Sequence, residues 1–460
     1  MFDIIISNGI IVTGSDIFKA DIGIKDEKIV SISSSIDKNE AKKVFELDGE
    51  KYIFPGTIDV HTHMQLPFCG TVSSDDFTTG TKAGACGGVT TIIDFTIQSN
   101  NTLMESILSR REEADNKVCI DYSLHASITK WNENIKNEIK EVIDYGIPTF
   151  KMFMAYRKEG RLSDDFALFS ALSEASKYGG MIGVHAENDS LTESLTENLI
   201  NQGKIGCEYF PQSRPVYTEE EAILRIIKWA EHTGGNLYIF HMSSGLGTDA
   251  VEAGKIRGVK VYAETAMTYL LLNDEKFKQK DGHLYATCPP IRKVEDNCRL
   301  WQGLKEGSIQ VLATDHCAFT RKQKDMWEGN FTKIPYGIPS IEINAPLFFS
   351  EGVNNGDISL NQFVNITSVN PAKLFGMYPE KGSLNIGTDA DIVIYDPNKE
   401  VTLKTENLHM NVDYCPFEGK RVKGYPILTI CRGNVLFDGK DYIGGDFKGK
   451  FIKRGKVLRI

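Results

Sequence analysis

Six side chains able to hold a cation recur near the ends of apolar runs along this chain: His61 and His63 flanking Thr62, then Lys151, His185, His241 and Asp315. Imidazole and carboxylate suit Zn, and also Mn, Fe or Co, so the set predicts divalent metal ions, with Zn2+ the first expectation. Ligands spread over so many separate runs point to a binuclear site at one mouth of a barrel, and hence to a hydrolase. In extended chain, residues i and i+2 face the same side, which puts the His61 and His63 rings together. A lone His-x-His pair is as compatible with structure as with metal binding; it gains meaning because His185, His241 and Asp315 each close a further run. Lys151 is the odd member. From spacing alone it reads as a salt-bridged lysine, because an ammonium with a pKa near ~10.4 cannot ligate a cation. Only as a carbamate, formed with carbon dioxide, would it carry two anionic oxygens able to bridge two ions.

Such ligands must be positioned by elements that end together. Apolar, β-branched runs at 53–60, 89–95, 118–125, 149–153, 181–185, 237–241, 259–264 and 309–315 alternate with amphipathic stretches. Several follow a helix-stopping glycine, as at Gly87-Gly88, Gly179-Gly180, Gly234-Gly235, Gly258 and Gly307. Thr218 followed by Glu219-Glu220-Glu221 reads as a capping box opening a helix. The expected fold class is α/β, a (β/α)8 barrel of the TIM type with its site at the C-terminal mouth. The alternative, a doubly wound open sheet, requires a glycine fingerprint that was not found in the sequence. Short strands separated by turns, one turn at Asn8-Gly9, fill the first fifty or so residues, and similar runs return at 390–395 and 434–437. One smaller β-sandwich domain built from both termini is therefore expected: 1–53 and 379–460 around a barrel at 54–378.

The net charge of -10 and the lack of a basic stripe argue against nucleic acid as a partner. The basic tail, from Lys448 to Arg459, reads as a solvated edge. Nine cysteines at wide spacing, with no Cys-x-x-Cys pair, predict neither a disulfide framework nor a thiolate zinc site, and a reducing compartment is the simpler setting. No apolar stretch approaches membrane-spanning length and no basic leader precedes the first runs, so a cytoplasmic protein without a membrane partner is expected.

Longer motifs carry a resemblance. They are Pro55-Gly56-Thr57-Ile58-Asp59-Val60-His61-Thr62-His63-Met64-Gln65-Leu66-Pro67-Phe68, the stretch from Asp75-Asp76-Phe77 to Asp94-Phe95, Phe150-Lys151-Met152-Phe153-Met154-Ala155-Tyr156, Val184-His185-Ala186-Glu187-Asn188, His241-Met242-Ser243 and Thr314-Asp315-His316-Cys317-Ala318-Phe319. Through essentially its whole length the chain resembles the dihydropyrimidinase/D-hydantoinase branch of the cyclic amidohydrolases. The resemblance implies that Lys151 is carbamylated and bridges two metals, that His61, His63 and Asp315 serve one ion, and that His185 and His241 serve the other. It also implies a small cyclic amide as substrate, opened to an N-carbamoyl amino acid, and a homotetramer. Two cations, typically about 3.5 to 4 Å apart, lower the pKa of a bridging water and supply hydroxide near neutrality for attack on the ring amide carbon. Tyr156, by resemblance, stabilises the carbonyl oxygen as it becomes negative, and Asp315 is expected to move the proton from water to the departing nitrogen.

The match frays around the substrate. Loops that in this family often read Ser-Pro-Pro and Asn-Gly read Cys288-Pro289-Pro290 and Tyr336-Gly337 here, so Cys288 and Tyr336 become candidate substrate-contacting positions, the tyrosine bulky enough to narrow or re-aim the pocket. Dihydroorotases carry an arginine two residues past the second histidine; Gln65 stands there, which disfavours an acidic pyrimidine. An allantoinase-type hydrolase of cyclic ureides is an alternative with the same metal site. A non-catalytic relative acting as an interaction protein is disfavoured, since every ligand position is filled. His316 is expected to face away from the ligands, and His125, His232, His283 and His409 to serve packing or surface.

Overall fold

Closure of the barrel rests on one seam beside the ligands: Thr62 bridges to His316, His63 N–H donates to the His316 carbonyl at 2.8 Å, and Thr314 N–H donates to Asp59 Oδ1 at 3.1 Å. The computed structural model describes residues 1–98 and 102–460. Eight parallel strands follow in chain order: β1 (Thr57–Thr62), β2 (Val89–Phe95), β3 (Asp121–Ser127), β4 (Thr149–Phe153), β5 (Met181–His185), β6 (Asn236–Ile239), β7 (Val261–Thr265) and β8 (Val311–Leu312). They are buried almost throughout, as strands covered on both faces must be, which is why they read as continuous apolar runs. Inside, Ile58, Val60, Ile93, Phe95, Tyr238 and Phe240 form one cluster that reaches Phe375 below. His125 belongs to this interior: its ring contacts Thr149 Oγ1 at 2.7 Å and the Val60 carbonyl at 2.9 Å and stacks on Phe95.

Helices cover the outside, among them Phe77–Cys86, Glu133–Tyr145, Asp165–Tyr178, Val216–Thr233 and Val294–Glu306, the last four ending on left-handed Gly146, Gly179, Gly234 and Gly307. The capping box expected at Thr218 does not open its helix. Pro215 is the N-cap instead, and Glu219 turns inward to accept from the Ser243 amide at 3.0 Å and hydroxyl at 2.8 Å. Thr218 lies inside the first turn, where its hydroxyl donates back to the Pro215 carbonyl at 2.7 Å.

The two termini form a single continuous eight-stranded mixed sheet with a core of its own, including Ile4, Ile22, Ile53, Ile392 and Ile430. N- and C-terminal parts meet where Tyr52–Pro55 pairs antiparallel with the start of Ile392–Thr402. The run 53–60 is thus divided: its first residues belong to this sheet and the barrel strand begins after Gly56. A Cβ on Gly56 would lie 2.1 Å from Thr90 Oγ1, so glycine lets the chain cross there. Asn8-Gly9 is no turn but a bulge within the long strand Phe2–Val12, where Asn8, at φ 58°, donates its N–H to Asp21 Oδ1 at 2.8 Å.

The basic tail is only partly a solvated edge. Arg454 is buried at the floor of the barrel, where Nε donates to Ser123 Oγ at 2.8 Å and Nη2 to Thr149 Oγ1 at 2.8 Å and to the Leu124 carbonyl. Burial pulls its pKa down to about 9.

Candidate metal centre

All six sequence-derived ligands line one cavity of about 520 Å³ at the C-terminal mouth, together with Tyr156, Cys288 and Tyr336. The strands deliver them from different sides. His61 lies within β1 and His63 just past it; Lys151 sits mid-way along β4, His185 ends β5, His241 follows β6, and Asp315 follows β8. Barrel closure sets the first group: His61 Nε2 lies 3.2 Å from His63 Nε2 and 3.1 Å from Asp315 Oδ1, and His63 Nε2 lies 3.3 Å from the same oxygen. The second group forms where His185 Nδ1 approaches His241 Nε2 at 3.0 Å, with Lys151 Nζ 3.5 Å from that His241 nitrogen. His241, Asp315 and Tyr156 all have left-handed backbone, at φ 40°, 49° and 72°. Each such residue costs roughly 1–3 kcal/mol and persists only where its surroundings over-determine it.

Carboxylates orient the rings from behind. Glu264, on β7, accepts from His61 Nδ1, from Tyr238 OH at 2.9 Å and from the His241 amide at 3.1 Å. Glu187 holds His185 Nε2 at 2.7 Å and is itself held by Arg214 Nη1 at 2.6 Å. Burial opposes charge here, yet the partners prevail: Arg214 and His185 hold the Glu187 carboxyl down at about 2. Likewise burial disfavours an imidazolium at His61, but Glu264 and Asp315 on either side raise it to about 9. Asp315, which burial alone would raise, is held well below the usual carboxylate range by His61, His63 and His241. Lys151 goes the other way. Its Nζ lies 3.8 Å from the Phe240 ring centroid, and burial, against the opposing charges of Asp315 and Glu264, lowers its pKa to about 7, toward the neutral amine that can add carbon dioxide.

Cations fit this donor set. His185 Nε2 is committed to Glu187, which turns Nδ1 as a bare lone pair toward His241 Nε2, while His241 Nδ1 is buried without a partner among the described residues. With its hydrogen on Nδ1, His241 turns the Nε2 lone pair toward that of His185 Nδ1, and a cation between these two facing nitrogens takes both lone pairs. His61, His63 and Asp315 likewise bring one ligand atom each within 4.8 Å of one another.

Around the ligands, Tyr156 lies with its ring 4.8 Å from that of His185 and its hydroxyl against the Cys288 thiol. Burial, then Cys288, raises its pKa well above the ordinary value, keeping the phenol a donor. Cys288, pushed up to about 12 by burial, stays a thiol. Tyr336 does not point into the cavity as an obstruction: its ring stacks on Phe210 at 5.0 Å and its hydroxyl donates to the Phe331 carbonyl at 2.9 Å. His316 faces away from the ligands, toward Asp75 at 3.0 Å.

Residues 52–436 match the amidohydrolase family over most of the chain. The chain belongs to that family. Residues 1–47 also match the N-terminal domain of the urease alpha subunit. The family member is 41% identical over 458 residues to a D-hydantoinase from Geobacillus stearothermophilus, covering 98% of this chain and 96% of the relative. It superimposes on the crystal structure of a dihydropyrimidinase from Brevibacillus agri with TM-score 0.97 and 40% identity over 99% of both chains. An L-hydantoinase from Arthrobacter aurescens is also similar, with TM-score 0.90 and 30% identity over 99% of this chain and 100% of that one.

Sequence reasoning missed Glu264, Glu187, Asp59 and Arg214 as parts of this amidohydrolase site. The first three left a signal, an acidic residue inside or at the end of a buried apolar run, which burial alone makes costly. Arg214 left none, since it arrives from a loop far along the chain.

Proposed function

We propose that this protein hydrolyses the cyclic amide bond of dihydropyrimidines or 5-substituted hydantoins, giving N-carbamoyl amino acids. The observation that carries the reading is the convergence of four imidazoles, Asp315 and a buried Lys151 in one cavity, with Glu264 and Glu187 selecting which ring nitrogens face inward. Relatives named D-hydantoinase, D-phenylhydantoinase and dihydropyrimidinase along nearly the full length support it.

His61, His63 and Asp315 would hold one divalent ion, His185 and His241 a second, and a carbamylated Lys151 would serve both; zinc is the first candidate, as donor chemistry allows. When bound, two such ions supply an activated water near neutrality and a positive field for an oxygen gaining charge. The chain does the rest. Asp315 takes the proton of the attacking water and delivers it to the ring nitrogen as the C–N bond breaks. Tyr156 donates its hydroxyl hydrogen to the carbonyl oxygen as that oxygen becomes an oxyanion, leaving its contact with Cys288. Cys288 and Tyr336 line the same cavity and would bound the substrate ring there.

Among the described residues no helix is long and apolar enough to cross a membrane, and all nine cysteines stand free, which fits a cytoplasmic setting. A homotetramer is part of the proposal: Phe166, Phe169, Leu191, Tyr217 and Leu224 leave apolar surface exposed on neighbouring helices, and light scattering tests it. The decisive experiment is turnover of dihydrouracil, several 5-substituted hydantoins, allantoin and dihydroorotate by protein of measured metal content. Opening of dihydrouracil or hydantoins is expected; turnover of allantoin alone would replace the substrate class, and metal-free, inactive protein would favour a binding role.

A further inference from the structure

We propose that the mouth of this cavity selects ring substrates whose substituent ends in a carboxylate, and that Arg161 binds it; this rests on the cyclic amidohydrolase reading above. The loop after β4 folds back on itself, with Arg161 N–H donating to the Tyr156 carbonyl at 3.0 Å and Leu162 bridging to Phe153. One tight loop therefore presents two groups to the same cavity, the Tyr156 phenol and the Arg161 guanidinium.

Three cations stand on this loop, and they differ in how they are neutralised. Arg157 pairs with Asp189 at 2.8 Å, and Lys158 with Glu197 at 3.1 Å and with Glu193. Arg161 has no carboxylate partner among the described residues. Its guanidinium lies instead over the rings of Phe68 and Phe153, 5.4 and 5.8 Å from their centroids. Two aromatic faces hold the planar group half-buried and leave its N–H edge to a ligand, and a fixed fork of this kind matches a carboxylate.

The walls agree with a charged tip on an apolar stem. Leu66, Phe68 and Ile97 line the same cavity and suit methylenes between the ring and the carboxylate. A carboxylate attached directly to the ring is not met by Gln65, whose amide is turned onto Glu113 at 3.1 Å. Besides Asp315, the acid lining the cavity among the described residues is Glu159, which is exposed to solvent.

The test compares metal-loaded protein on hydantoin bearing a 2-carboxyethyl group, on the isosteric carboxamide, and on unsubstituted hydantoin. We expect kcat/KM for the acid to exceed that for the amide by about tenfold, chiefly through KM, as one partly solvated charge-assisted contact allows. That ratio should fall to near one in Arg161→Gln, survive in part in Arg161→Lys, and shrink with added salt. Equal rates on acid and amide in the wild type, or an unchanged ratio in Arg161→Gln, overturn the proposal while neutral hydantoin turnover still supports the reaction. A metal-loaded protein that opens none of the three overturns both.

Discussion

Glu264 takes the Nδ1 hydrogen of His61 across the barrel, from the seventh strand to the first, and so turns His61 Nε2 toward His63 and Asp315. The same carboxylate accepts the His241 amide, so one side chain indexes a ring from each proposed ligand group. Glu264→Ala should therefore weaken metal retention by about 10–100-fold, the usual cost of losing a carboxylate behind a ligating histidine. Chelator competition reads this directly. Retention equal to wild type would show that His61 is oriented by something else.

Lys151→Ala should lower the metal stoichiometry as well as activity, because both proposed ions share that residue. Native mass spectrometry of the active wild type should show the mass of one added carbon dioxide, absent from the variant. Fully metallated, active protein with an unmodified lysine would remove the carbamate from the mechanism.

Asp315→Asn should abolish turnover while the protein stays folded and at least partly metallated. Tyr156→Phe should be milder, lowering kcat by roughly 10²–10³ with KM changed far less, as for loss of one oxyanion donor. Stopped assays across the hydantoin panel separate the two; near-normal kcat in either variant rules out the assigned role.

Asp75 anchors the barrel seam from the far side. Burial would raise its carboxyl, but His316 Nε2 and the Asn411 amide, each at 3.0 Å, hold it below the ordinary value of 3.8. A folded pKa below the unfolded one means the contribution is present above the unfolded value and is lost as pH falls through the folded one. Urea midpoints should decline below about pH 4, and Asp75→Asn should flatten that decline while costing about 1–3 kcal/mol at neutral pH. An unaltered acid limb in the variant would assign the pH dependence to other carboxylates.

The candidate ligands other than Lys151, which only the resemblance marked, were legible because chemistry and periodicity coincide at them. A histidine or aspartate closing a buried apolar run is expensive unless it has a partner, and a strand end is local information. Five such positions, with the spacing of the runs, were enough to place a barrel and its mouth. Local signals failed where a distant partner outbid them. Asn8-Gly9 looked like a turn, but Asp21 held Asn8 within a strand. Arg454 looked solvated, but hydroxyls of two strands and a backbone carbonyl waited for it at the barrel floor.

By itself the sequence determined which residues carry chemistry and that strands bring them to one end, since residue type and period are written along the chain. Only the tertiary structure decided which nitrogen of each imidazole faces the cavity, that Tyr336 packs aside onto Phe210, and that Arg161 stands over two aromatic rings with no carboxylate partner among the described residues. Those are matters of orientation and neutralisation, for His61 with Glu264, Tyr336 with Phe210 and Arg161 with Phe68 between groups far apart in the chain, and folding of the barrel and its loops is what sets them.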